Sequence, residues 1–155
     1  MSGVTIEITV GGVRQAIESF AEYDRRAHGK VGDACQATAR VVADRARMLA
    51  PVFNGDLAGS IRPGLGGGLV GNIATAEVIA HADYAAYVEY GTRPHTPPLQ
   101  AISDWAYAHG MRPYALQRAI AERGTPAQPY MRPAAESERV GFEARLARAL
   151  LEAEV

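Results

Sequence analysis

Only one cysteine, Cys35, stands in the 155 residues. The chain therefore cannot close a disulfide on itself or assemble a multi-cysteine metal site, and a lone thiol fits a reducing compartment. An excess of one charge is missing too: 16 Lys and Arg face 17 Asp and Glu, for a net charge of -1. A protein made mainly to coat nucleic acid carries a basic excess, so that class is disfavoured and only a local basic patch stays open. No apolar run approaches the roughly 20 residues needed to cross a bilayer. The opening MSGVTIEITVGG has no basic flank before an apolar run and does not read as a signal peptide. These absences predict a soluble chain, used without export and without membrane contact. Its length suits one domain over 1–155 with one core.

Hydrophobic periodicity supplies the elements. Val4, Ile6, Ile8 and Val10 alternate with polar residues, the period-two pattern of a half-buried strand over 4–10. Val13, Ala16, Ile17 and Phe20 recur at helical spacing and predict a helix over 12–27, with Gly29 as a break or bend. The strongest helix runs over 30–50, with Val31, Ala34, Cys35, Thr38, Val41, Val42, Arg45, Met48 and Leu49 on one stripe. Alanine-rich spacing favours it, and Pro51 stops it. On that stripe Cys35 reads as a buried structural thiol. Asn54 and Gly55 mark a turn, and 57–63 and 69–80 read as two strands. Between them the run containing Gly64, Gly66, Gly67 and Gly68 is expected to be a mobile hairpin tip or loop. Short helices follow over 83–90, 98–109 and 113–123, the first ended by Gly91. QPYMRP reads as extended, and an amphipathic helix fills 133–152. The order predicts an α+β fold: a long helix packed on a small antiparallel sheet, with extra short helices and a C-terminal helix.

The chemistry-bearing residues give weak signals. Gly66, Gly68 and Gly71 match G-x-G-x-x-G, but a strand follows where a phosphate-binding turn needs a helix. His81, Asp83, Glu89 and His95 lack a diagnostic metal spacing, so no metal or other cofactor is expected. Glu89, Thr92 and His95 are the best candidate catalytic cluster; Thr92 after a glycine more simply bonds local backbone at a turn. Arg25, Arg26, Lys30, Arg40, Arg45 and Arg47 could serve a nucleic-acid-binding regulator, against which the acidic neighbours Asp24, Asp33 and Asp44 argue. Tyr84 and Tyr87 are expected in the core with their hydroxyls at its edge. Tyr90, Tyr107, Tyr114 and Tyr130 exceed what one small core requires, and such aromatics are enriched at protein interfaces. The residues alone point to a non-enzymatic interaction protein.

Several segments in order carry a resemblance: Ala50 and Pro51, Gly55-Asp56-Leu57, Ser60-Ile61, then YAAYVEYGT at 84–92 and QPYMRPA at 128–134. Together they resemble the tail-component family of long-tailed bacteriophages named after gene ten of phage Hong Kong ninety-seven, with its pattern AP-x-x-TG-x-L-x-x-S-I, YA-x-x-VE-x-GT and P-[FY]-[LM]-x-P-A. The likeness covers roughly 30–150. It departs at Asn54-Gly55-Asp56, in place of Thr-Gly before the leucine, and in a helical insertion at about 97–123 and an additional N-terminal strand. The resemblance implies a non-catalytic virion protein of the neck or tail, made in the host bacterial cytoplasm. Such a protein forms a homo-oligomeric ring, of six copies by preference, between a tail-tube or tail-terminator protein and a head-completion or connector protein. DNA passes through the lumen without sequence-specific binding. The implied subunit or partner interface comprises Tyr84, Tyr87, Glu89, Tyr90, Gly91, Thr92, Pro129 and Tyr130. Within it Glu89 faces a neighbouring subunit or caps nearby backbone amides, and Tyr84, Tyr87 and Val88 anchor the short helix on the long one. The glycine loop is implied to order on contact with a partner ring.

Overall fold

The structure, a computed structural model, describes residues 3–11, 24–71 and 73–153. Most of the helix expected over 12–27 lies outside them, and its last residues, 24–27, open the long helix. The long helix, α1 (Asp24–Leu49), runs through Gly29 without a break. A lone glycine costs a helix only about 1 kcal/mol, and the apolar stripe on both sides outweighs it. Val31, Cys35, Ala39, Val42 and Ala46 are buried along that stripe.

A four-stranded antiparallel sheet lies against α1. Strand β1 (Val4–Val10) pairs with β4 (Ile73–Ala80) along its whole length, from Val4 opposite Ala80 to Val10 opposite Ala74. On the other side of β4 lie β2 (Ile61–Pro63) and β3 (Gly68–Val70). Ala74, Ala76, Val78 and Ala80 face α1 and are buried, and Val4 and Ile8 join them. Small residues there let the helix approach closely. The outer face carries Thr5, Glu7, Thr9, Thr75, Glu77 and Ile79.

Two strand expectations are corrected. Residues 57–63 are not all strand: α2 (Asp56–Ser60) comes first, starting after Gly55 at φ 85°. Leu57 is buried, and the Ser60 hydroxyl donates to Leu57 O at 2.8 Å, holding the turn. Likewise 69–80 is two strands, with the reversal beginning at Gly71 (φ 59°). Residues 64–67 therefore form a bulge within the β2–β3 edge, not the hairpin tip. Gly64 N donates to Glu77 O at 2.8 Å and Gly66 N to the Glu77 carboxylate at 2.9 Å. Gln36 Nε2 holds Gly64 O from α1. A Cβ on Gly67 would meet Thr75 O at 2.9 Å, so the close approach needs glycine there.

Helix α3 (Ala85–Tyr90) follows, then α4 (Leu99–Ala108) and α5 (Pro113–Arg123), which pack chiefly on each other. The C-terminal helix is also corrected. It starts at Met131 rather than 133, so QPYMRP is extended only as far as Tyr130. It is divided at Glu138 into α6 (Met131–Ser137) and α7 (Arg139–Glu152). Glu138 is 5% exposed, and its carboxylate meets Arg45 at 2.9 Å and Arg145 at 3.0 Å. Arg145 also donates to Thr38 on α1. Phe142, Leu146 and Ala149 of α7 complete the core against α1.

Candidate functional site

The motif residues meet where α3 faces the start of α6. Ala85 and Glu89 form the buried side of α3. The Glu89 carboxylate, on a residue 2% exposed, accepts three backbone N–H groups: Tyr130 at 2.8 Å, Met131 at 2.9 Å and Arg132 at 2.9 Å. A helix start leaves four N–H groups without intrahelical partners. Here three go to Glu89, and the fourth position is Pro133, which has no N–H. One buried carboxylate thus satisfies the whole first turn of α6 and sits at the positive end of its dipole. Of the two roles expected for Glu89, the geometry realises amide capping, inside its own chain.

Two further bonds extend this clasp. Gln128 N donates to Val88 O at 2.8 Å, and Thr92 and Thr125 form an antiparallel bridge. Thr92 N donates to Thr125 O at 3.0 Å, Thr125 N to Thr92 O at 3.2 Å, and the two hydroxyls lie 3.0 Å apart. Thr92 therefore pairs with a distant strand-like segment rather than with local backbone. Glycines flank the bridge on both chains, Gly91 at φ 70° and Gly124 at φ 73°. A Cβ on Gly91 would stand 2.5 Å from Thr125 O. The bridge closes the base of the α4–α5 hairpin, so the chain leaves and re-enters the core through one narrow neck.

Tyr84 and Tyr87 are not core residues. They are 42% and 59% exposed, and Tyr90 is 68% exposed. The helix instead seats through Ala85 and Glu89, with Val88 half-buried, because Glu89 must face the amides of α6. Pro129 is exposed. Tyr130, by contrast, is fully buried, and its hydroxyl has no protein hydrogen-bond partner. Burial pushes its phenol well above tyrosine's ordinary range, and the negative charge of Glu89 adds to the rise.

The catalytic alternative does not assemble. Glu89 is fully engaged by amides, and His95 is exposed with its Nδ1 at 2.9 Å from Arg93 O. Among the described residues no group of three His, Cys, Asp or Glu could hold a metal. A surface trough between β1 and α6 is open and lined by Ile6, Glu7, Ile8, Thr9, Arg132, Ala135, Glu136 and Arg139, without a nucleophile beside a base. The basic set is largely neutralised: Lys30 pairs with Glu152, Arg45 with Glu138 and Arg47 with Asp44. The side chain of Arg25 lies outside the described residues. Cys35 is buried on α1 as expected, its thiol pushed up by burial and directed at Gly68 O. No described helix is long and apolar enough to cross a membrane.

Residues 14–91 match the family model described as Bacteriophage HK97-gp10, tail-component. The chain belongs to this HK97-gp10-like family of phage tail components. Comparison with curated proteins gives no match, and comparison with solved structures gives none. The matched segment ends at Gly91, at the mouth of the α4–α5 neck. Hence α4 to α7 lie beyond it, and the clasp is what ties 128–134 to the HK97-gp10-like segment. Glu138, Thr125 and Gly124 carry as much of the architecture as the motif residues do. Gly124 was legible as a helix stop; nothing in the local sequence marks the partners of Thr125 and Glu138.

Proposed function

We propose that this chain is a structural subunit of the phage head–tail junction, a neck or tail-completion protein without catalytic activity. It works as a homo-oligomeric ring, of six copies, with a tail-tube or tail-terminator protein on one side and a head-completion or connector protein on the other. DNA passes through the lumen. The observation that carries this reading is the HK97-gp10-like match over 14–91. The clasp supports it, because the one buried carboxylate of the motif is consumed in holding two helices together. A net charge of -1 suits a lumen that must not bind passing DNA. The exposed tyrosines Tyr84, Tyr87 and Tyr90 stand on the outside of the clasp, where a partner protein would meet them.

Electron microscopy of particles carrying a gold-labelled copy tests the proposal. Label confined to the neck between capsid and tail is the expected result. Label absent from particles, with the protein left free in the lysate, would overturn it.

A further inference from the structure

Among the described residues, two surfaces lack a partner in their own chain. One is the outer face of the sheet, which no described element covers. There Glu7 of β1 stands directly opposite Glu77 of β4 in the register; among the described residues neither carboxylate has an ion pair, and that of Glu77 accepts only the Gly66 N–H. Like charges at directly opposed positions repel. Around them lie Thr5, Thr9, Thr75 and Ile79, and toward the turn the exposed Ile73 and Val70; Arg62 stands at the opposite end, and Arg132 and Arg139, paired to Glu136 and Glu143, border Glu7 along the edge of β1.

The other surface is the α4–α5 hairpin. It stands off the core on the Thr92–Thr125 neck, with a side contact where His109 lies 6.0 Å from Phe53. Trp105 stacks on His109 at 4.0 Å, and Tyr107 and Tyr114 are 69% and 74% exposed. Its charge is basic: Arg93, Arg112, Arg118 and Arg123 against Asp104 and Glu122. Among the described residues only Arg118 is paired within the hairpin, to Glu122, and Arg93, Arg112 and Arg123 are exposed with no ion pair to a described residue. Among the described residues no hydrogen bond or ion pair joins the hairpin to the sheet of its own chain. A basic, aromatic projection and an acidic, partly apolar face on one chain are what a head-to-tail contact between identical copies requires.

We propose that the α4–α5 hairpin of one copy docks on the outer sheet face of the next, with Arg112 and Arg123 brought to Glu7 and Glu77. This rests on the ring reading above and names its interface. It places the hairpin on the neighbouring subunit rather than on a head or tail protein.

Charge reversal on the full chain tests it by sedimentation velocity. One variant makes the hairpin acidic (Arg112→Glu with Arg123→Glu). The other makes the sheet face basic (Glu7→Arg with Thr9→Arg). Each alone is expected to weaken self-association at least about tenfold, since attraction becomes repulsion. An equimolar mixture is expected to restore assembly, because both cross-contacts are again opposite in sign. Wild-type assembly should also weaken as salt rises, a readout that stands even if a variant fails to fold. A wild type that assembles independently of salt would overturn the docking surface and leave the ring. So would variants that assemble unaided, or a mixture that stays apart. A wild type that stays monomeric at millimolar concentration would overturn the ring and the surface together.

Discussion

At the scale of single residues, Glu89 and Tyr130 set the behaviour of the clasp. Glu89→Ala strips three buried N–H groups of a charged acceptor. Leaving each buried N–H group unsatisfied costs about 1–3 kcal/mol, so the three together cost at least about 3 kcal/mol. At about 2–4 °C per kcal/mol for a chain this long, differential scanning calorimetry should show the melting point fall by roughly 10 °C. Glu89→Gln should fall between, since its amide turns one acceptor into a donor facing an N–H. Tyr130→Phe should cost less than about 1 kcal/mol, because no protein hydrogen bond is lost. The Tyr130 phenol, raised by burial and then by Glu89, stays neutral in the fold while the unfolded chain ionises near tyrosine's ordinary 10.0. The stability from this difference is whole below that pH and declines above it. The exposed tyrosines ionise without unfolding, so a late step in the phenolate absorbance of wild type should coincide with loss of helix in alkali, and Tyr130→Phe should remove that step and move the loss of helix to higher pH. The sequence motif exposed Glu89 and Tyr130 as important. It did not expose that they serve each other, because nothing in a linear reading sets position 89 against position 130.

Among the elements, the α4–α5 hairpin was the most legible and the most separable. Pro98 and Pro113 open its helices, and Gly110 and Gly124 close them, so local signals bounded them to within a residue or two. The elements misread were those decided by distant partners. Leu57 buries against the core and turns 56–60 into helix, and Glu138 breaks the last helix because Arg45 and Arg145 hold its carboxylate. The Thr92–Thr125 bridge exchanges both backbone hydrogen bonds, the geometry that a two-residue turn closes. Replacing 93–124 by Asn-Gly should thus leave a folded chain whose melting point lies within a few degrees of wild type. Loss of a cooperative transition would mean that the hairpin belongs to the core. Gly91→Ala should act in the opposite way: at φ 70° and ψ -177°, a region entered essentially by glycine alone, a side chain costs about 1–3 kcal/mol, and the Cβ would also press on Thr125 O. Urea unfolding should show at least that loss, with the damage centred on the neck.

The whole molecule is organised by α1, which packs against the sheet on one side and against α6 and α7 on the other. That two-sided role was legible from its length and its wide apolar stripe, and so was the α+β class. What was not legible is how the halves are joined, since both links are buried carboxylates, Glu89 to the start of α6 and Glu138 to Arg45 and Arg145. Elements sharing one core open together, whereas a unit tied through a narrow neck opens at lower cost. Hydrogen exchange of the free chain should accordingly protect α1, β4 and α7 most and as a group, with α4 and α5 exchanging faster as a second group. On assembly the hairpin amides should slow far more than those of α1, because a docked hairpin gains a second anchor while the core gains none. Equal protection of hairpin and core in the free chain would make the hairpin a rigid part of the domain. Unchanged hairpin exchange on assembly would move the contact between copies elsewhere, leaving the exposed tyrosines of α3 as the surface to test.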